Sequence, residues 1–231
     1  MQPYFFPYLG YFSLIKNTEL FVLLDTVQFI RHGWIERNRI LKPGTDWQYI
    51  SVPLKKHSRE TLIKETEINN ETNWEEKILA QLGHYKKSAP YYYKVINMLN
   101  GVFSKPYTSI VELNKDSLKA VCDFLEIKCT ISVFSEMNLD LEKINAPDEW
   151  ALNICKAIGG VDEYWNPKGG MAFFDINKYL TNNINVNFID QNLKYYNQKR
   201  ENFEPGLSII DVMMFNSPEE IRLMLNEFDI I

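Results

Sequence analysis

Residues 19–25 read E-L-F-V-L-L-D, and this stretch decides the fold. Leu20 to Leu24 are apolar without interruption, which suits a strand buried on both faces, and Asp25 then stands at its carboxyl end. Doubly buried strands belong to parallel sheets covered by helices, so helix-length segments should separate this strand from its partners. After residue 128 the sequence has that rhythm. Cys129 to Phe134 reads as a strand, Glu149 to Ile158 as a helix and Glu163 to Trp165 as a short strand. A helical segment around Ala172 to Leu180 follows, then a strand at Val186 to Ile189. The last helix begins near Ser208, where Ser208 and Asp211 can cap its first turn. Pro218 breaks it, and Glu219 to Phe228 continues it.

Upstream of residue 19 the chain is aromatic and punctuated by Pro3 and Pro7, which keep it extended or turned. Gly10 precedes a short helical candidate, Tyr11 to Ile15. Trp47 to Leu54 alternates well enough for a strand, near an edge because of Pro53. The middle is helical. Trp74, Ile78, Leu79 and Leu82 recur at helix spacing, as do Val95, Met98, Leu99 and Val102, and then Leu113, Leu118, Val121, Cys122 and Leu125. The expectation is an α/β fold: a parallel, Rossmann-like sheet with helices on both faces and a helical insertion at about 71–126, within one domain spanning 1–231.

The chain has 231 residues, 45% hydrophobic and 24% charged, which excludes collagen-like, mucin-like and wholly disordered classes. Three cysteines, Cys122, Cys129 and Cys155, with no close pair, argue against a disulfide framework and a cysteine zinc site. The N-terminus lacks the pattern of a signal peptide and no apolar run is long enough to span a membrane, so a cytoplasmic address is expected. Net charge is −5, but residues 1–60 carry eight basic groups against five acidic, leaving seventeen against twenty-five in the remainder. An acidic chain repels phosphates nearly everywhere, so nucleic acid is not an expected partner, while a local anion site in the first sixty residues is allowed.

Four segments carry candidate chemistry. The first, Gln2 through Phe12, would place Gly10 at a helix N-terminus beyond a strand end, with Gln2, Tyr4, Tyr8 and Tyr11 around it, where unpaired amides favour an anion. Taken alone, a buried aromatic plug is the simpler account. The second is Asp25-Thr26-Val27-Gln28, in which Asp25 suits a sugar hydroxyl, an amine or a magnesium ion as well as it suits a turn cap. The third is Arg31 to Arg39 with Lys55 and Lys56. Arg37 and Arg39 flank Asn38, so on an extended backbone both point one way and can grip a diphosphate, while Trp34 stacks on a base or sugar. A solvated charged surface is the bland alternative. The fourth, Asn166-Pro167-Lys168-Gly169-Gly170, follows a strand and resembles a ligand loop at the sheet's carboxyl edge. The spacings of a P-loop, a dinucleotide fingerprint, a zinc-protease helix and a serine-hydrolase elbow are all absent, and no cofactor is indicated. His32, His57 and His84 are scattered and form no recognisable triad. His84 and Cys155 read as structural.

As an ordered set, these segments resemble the WbqC-like family of bacterial surface-polysaccharide gene clusters. The residues carrying the resemblance are M-Q-P-Y-F-F-P-Y-L-G-Y-F (1–12), D-T-V-Q-F (25–29), G-W-I-E-R-N-R-I-L (33–41), P-L-K-K-H-S-R-E-T-L-I (53–63), Y-W-N-P-K-G-G (164–170) and F-E-P-G-L-S-I-I-D-V-M-M-F-N-S (203–217). Two departures are visible. The family pattern has a few apolar residues before Gln2, forming a first central strand. Thr26 stands where a second aspartate is usual, so no paired-carboxylate metal site is expected. The resemblance implies a cytoplasmic enzyme acting on an activated sugar in O-antigen or capsule assembly, by amino-acyl or acyl transfer to the amine of a nucleotide-linked amino sugar. Arg37, Arg39, Lys55 and Lys56 would then hold the diphosphate, Trp34 would pack on base or sugar, Asp25 would orient the amine, and Gly10 with Tyr8 or Tyr11 would supply oxyanion donors. No base stands out. A more distant similarity links Y-L-G-Y (8–11) to adenylate-forming and nucleotidyl-transferring enzymes of the H-I-G-H type, with tyrosine at both histidine positions. A non-catalytic nucleotide-sugar-binding or scaffold protein of the same pathway is the remaining alternative.

Overall fold

A computed structural model describes residues 1–231. The E-L-F-V-L-L-D stretch forms β1 (Leu20–Leu23), preceded by α1 (Leu9–Asn17). β1 pairs in parallel with β4 (Thr130–Val133), Leu20 opposite Thr130 and Leu23 opposite Val133. On its other side, the Met1 ammonium donates to Val22 O at 2.9 Å and Leu24 N donates to Met1 O at 2.7 Å, so Met1 occupies one parallel ladder position beside β1. β2 (Arg37–Leu41) and β3 (Trp47–Ser51) form an antiparallel hairpin. β5 (Glu163–Pro167) pairs in parallel with β6 (Asn185–Gln191), and β6 pairs antiparallel with β7 (Phe228–Ile230).

The α/β class therefore holds, but the strands fall into three small sheets of two, two and three strands, of mixed direction, and one continuous wound sheet is not formed. Two segments differ from the sequence reading for a clear reason. The Glu219–Phe228 helix ends at Met224 (α8, Pro218–Met224), and Phe228 turns outward as a strand because β6 offers it an unpaired edge. The segment from 172 to 180 splits into a 3₁₀ turn (Lys168–Phe173) and α6 (Ile176–Leu180), which Asp175 caps by accepting from Asn177 N. The Ser208 cap forms as expected, its hydroxyl accepting from Ile210 N at the start of α7 (Ile209–Phe215), while the Asp211 side chain turns into the core.

The middle helices are α2 (Trp74–Leu82), α3 (Tyr92–Phe103) and α4 (Ile110–Phe124). Their apolar stripes bury Ile78, Leu82, Val95, Leu99, Leu113 and Leu118 in the same cluster as Phe5, Phe6, Phe12 and Leu23, so one core supports both the helices and the N-terminal loop. A small second cluster joins Leu152 and Cys155 of α5 (Glu149–Ile158) to Tyr179 and Ile184.

Candidate functional site

Residues 2–8 form an irregular loop, and buried polar groups from distant segments fix its backbone. Tyr11 donates to Gln2 O (2.7 Å), Asn114 to Pro3 O (2.9 Å), and Asn38 to Phe5 O and Phe6 O (3.1 and 2.9 Å). Ser208 also donates to Phe6 O (2.7 Å), and Ile209 N to Pro7 O (2.9 Å). These bonds hold Phe6 at φ 39, a left-handed conformation that costs a bulky residue on the order of 1–3 kcal/mol. Pro3, Phe5, Phe6 and Pro7 are buried, so the side chains the loop presents are Gln2, Tyr4 and Tyr8, all half-buried. None of these three makes a side-chain hydrogen bond within the chain.

Tyr8 folds over the N-terminus of α1, where a Cβ on Gly10 would meet its ring and hydroxyl at 2.7–2.8 Å; glycine is required for that approach. Burial, then Tyr4, then Asp190 raise the Tyr8 phenol above its ordinary range, which places the carboxyl end of β6 within electrostatic reach of the loop. Asp190 in turn pairs with Lys168 at 2.6 Å. Lys168 thus ties the Asn166–Gly170 segment to the carboxyl end of β6. Asn166 itself is buried against Gly170, where a Cβ would lie 2.2 Å from its amide nitrogen, so Asn166 and Gly170 shape this turn while Gly169 is open to solvent.

Arg37 and Arg39 share one face of β2, as the alternation requires, and cover the aromatic side chains of β3. Arg37 lies 4.2 Å from the Tyr49 ring centroid, and Arg39 lies 5.1 Å from Trp47 and 5.6 Å from Trp34. With Trp47 and Tyr49 4.9 Å apart, the result is a continuous ladder, Arg37–Tyr49–Trp47–Arg39–Trp34. Neither guanidinium pairs with a carboxylate. Arg37 is largely occupied, donating to Gly33 O and His32 O. The Arg39 guanidinium donates only to Gly206 O (3.2 Å), and its Nε–H is shielded from solvent with no partner. The ladder adjoins the loop directly, since Ser208 N donates to Arg39 O and Ser208 bridges Tyr8.

Other predicted positions lie apart from this surface or serve the fold. Tyr11 is fully buried with its hydroxyl on Gln2 O, so it has no route to a ligand as an oxyanion donor. Asn38 is buried and spent on the loop carbonyls. Asp25 is 1% exposed and accepts from Ser135 N (3.0 Å) and Ser135 Oγ (2.5 Å), the arrangement of a cap that joins the ends of β1 and β4. Gln28 donates to Arg59 O. Lys55 pairs with Glu67 at 2.6 Å and, with Lys56, lines an open cleft shared with Asn69, Asn70, Glu71 and Thr108, a cleft to which neither the N-terminal loop nor β2 contributes. The single basic pocket inferred from sequence thus resolves into an arginine–tyrosine surface and a separate lysine cleft.

Two polar groupings escaped the sequence reading. Asp211, buried among apolar residues of α7, accepts from Tyr85 (2.5 Å), Tyr196 (2.5 Å) and Gln198 (3.1 Å). Burial outweighs those donors and pushes its carboxyl up to about 6. The network ties the irregular 192–208 segment, including the Gly206 turn against Arg39, to the core. The second is at Glu36, half-buried, whose Oε2 is shielded from solvent with no partner; burial raises its carboxyl, against the lowering influence of its own backbone, Arg37, His32 and His57. No group of three or more acidic, histidine or cysteine side chains has the geometry of a metal site.

Residues 2–223 match a family model described as the WbqC-like protein family. A protein of Mycobacterium tuberculosis (strain ATCC 25618 / H37Rv), named Uncharacterized protein Rv1507c, is 27% identical over 229 residues, covering 96% of each chain. No solved structure matches. No helix is long and apolar enough to cross a membrane.

Proposed function

The chain belongs to the WbqC-like protein family, and from that premise we propose that it is a transferase that moves an amino-acyl or acyl group onto the amine of a nucleotide-linked amino sugar during surface-polysaccharide assembly. The observation that carries the reading is Arg39, a guanidinium flanked by Trp34 and Trp47, free of any carboxylate and carrying a shielded Nε–H without an acceptor. Such a group suits a phosphate oxygen, because charge-assisted bonds from a guanidinium are strong and planar rings beside it can stack on a base or sugar. Arg39 would bind the diphosphate with Arg37 flanking it, Trp34 would receive the base or sugar face, and Gln2, Tyr4 and Tyr8 would hydrogen-bond the sugar. Lys168, the Gly169–Gly170 turn and the α1 N-terminus at Gly10 would close the far side.

Thermal-shift measurements with UDP-linked amino sugars, with ATP and magnesium, and with acyl-CoA separate this reading from its alternatives. A nucleotide-sugar should raise the melting temperature of the wild type, and Arg39→Ala should weaken its binding by about 1.5–3 kcal/mol. Equal affinity in Arg39→Ala would remove the anion assignment. Mass spectrometry of the nucleotide-sugar after incubation with an acyl donor then decides between a transferase and a binding protein. Binding without any mass gain from any donor favours the binding protein.

A further inference from the structure

Residues 192–207 run without helix or strand between β6 and α7, yet side chains pin them at several points. Arg200 donates to Asp46 O (2.9 Å) and Lys42 O (3.0 Å), in the turn between β2 and β3. Gln198 donates to Glu204 O (2.9 Å) and accepts from Glu204 N (2.8 Å), while Tyr196 donates to Asp211 (2.5 Å). The segment is therefore a fixed strap, but it does not lie flush on the core. Between it and Leu9 of α1, Val212 of α7 and Met224 of α8 a cavity of about 20 Å³ remains. One water needs about 10–15 Å³, so the space takes a methyl- or ethyl-sized group and nothing longer. Its inner end is walled by the buried side chains of Leu9, Leu207 and Val212, and its mouth lies at the exposed residues Asn192 to Lys194. The polar groups near it are engaged, the Tyr196 hydroxyl with Asp211 and Lys194 with Glu227 at 2.8 Å.

Gly206 fixes where this cavity lies relative to Arg39. It lines the cavity, accepts from Arg39 at 3.2 Å and has φ 66. A Cβ on Gly206 would lie 3.6 Å from Arg39 Nη2 and 3.7 Å from Leu193 Cδ1, so the guanidinium and the cavity mouth both lie within 3.7 Å of one point. A ligand whose phosphate meets Arg39 therefore has an apolar, methyl-sized space only a few bonds away.

That spacing selects the occupant. The acyl group of a coenzyme A thioester is separated from its diphosphate by the whole pantetheine arm, too far to satisfy both places at once. A 2-acetamido group brings an N–H and a carbonyl that need partners, which apolar walls do not supply. The C5 substituent of a hexose lies close to the anomeric phosphate, across the ring oxygen, and as a methyl group it brings no polar atom.

We propose that this cavity receives the C5 methyl group of a 6-deoxyhexose, so that the acceptor is a nucleotide-linked 6-deoxy amino sugar. This rests on Arg39 as the diphosphate ligand and names the sugar class that the proposed function leaves open. A hydroxymethyl group in the same place would bury its hydroxyl against Leu9, Leu207 and Val212 and lose the water it had outside.

The test is equilibrium binding on the full chain with dTDP-6-deoxyglucose and dTDP-glucose, which differ only at O6, and with the corresponding UDP pair to cover the base. Wild type should bind the 6-deoxy compound about 10–100-fold more tightly. UDP-N-acetylglucosamine against UDP-glucose reports an acetamido occupant, and a preference there without one for the 6-deoxy compound overturns the assignment. Two variants tie the preference to the cavity. Val212→Ile fills it with one more carbon, and Leu193→Ala removes its wall at an exposed position. Each should reduce the preference while leaving affinity for the glucose compound as in wild type. Should Val212→Ile fail to fold, Leu193→Ala decides. Equal wild-type affinities, or a preference that survives in every folded variant, overturns the role of the cavity. If both compounds bind equally and Arg39→Ala weakens them alike, the diphosphate reading stands and only the sugar assignment falls. If no nucleotide-sugar binds, both fall together.

Discussion

Asp211 offers the sharpest quantitative prediction, because its environment is fully specified. It is 0% exposed and receives two tyrosine hydroxyls and one amide, yet its carboxyl is displaced from 3.8 to about 6. A carboxyl whose folded value is raised binds its proton more tightly when folded, so its contribution to stability is complete below about pH 4. That contribution is lost as pH rises through about 6. Two units correspond to about 3 kcal/mol. The perturbation is Asp211→Asn, which keeps the shape and one acceptor but cannot ionise. Urea unfolding of both proteins at intervals from pH 3.5 to 7.5 gives the difference in stability directly, and other titrating groups cancel in that difference. The variant should be the weaker protein at pH 4, where it has replaced a well-bonded acid. Between pH 4 and 7 the difference should drift by about 3 kcal/mol in the variant's favour. A difference that stays flat across that window, or drifts the other way, would refute the argument that burial dominates at this position.

Three further outcomes follow from the geometry. Asn114→Ala removes the donor shared by Pro3 O and Ile35 O, both at 2.9 Å, and should cost about 2–4 kcal/mol; faster amide exchange at Phe5 and Leu24 would place the loss in the N-terminal loop, and uniform exchange would not. Asp25→Ala leaves Ser135 N without its acceptor and should lower stability by about 2–3 kcal/mol in urea while nucleotide-sugar affinity is retained; a loss of affinity at unchanged stability would restore Asp25 to the site. Gly170→Ala forces the Asn166 amide away from a Cβ that would sit 2.2 Å from it, and should cost about 1–3 kcal/mol in thermal unfolding, whereas Gly169→Ala, with nothing within 4 Å, should cost less than Gly170→Ala.

The ladder bears on how the surface would change under substitution. Arg39→Lys keeps the charge but loses the flat contact with Trp34 and Trp47 and the fork that reaches Gly206 O, so it should behave more like Arg39→Ala than like wild type. The ladder's position beside the loop depends on Ser208, which binds Phe6 O through its side chain and Arg39 O through its backbone. Segments near residues 6, 39 and 208 therefore act as one unit.

Much of this protein is local in origin. The apolar run at 20–24 forms a strand (Leu20–Leu23) from its own composition, although only Phe21 and Leu23 are buried while Leu20 and Val22 are half-buried, so the two-faced burial expected of it is not formed. The stripes of α2, α3 and α4 follow from spacing alone, and Ser208 and Ser217 cap the helices they precede because a cap needs only a short side chain and the next amides. The shared face of Arg37 and Arg39 is equally local, fixed by strand alternation. Tertiary structure decided which of those polar groups are spent and which are free. Asp25, Asn38 and Tyr11 read as site residues because their types suit ligands, yet each meets a partner that lies within the fold, as Asp25 meets Ser135 110 residues away. Asp211 read as a helix cap from its spacing after Ser208, and the unpartnered Oε2 of Glu36 carried no local signal, since burial and the partners a group meets belong to contacts across the chain. The strands likewise divide among three sheets because ladder bonds form between segments far apart in sequence, where no local pattern specifies the pairing.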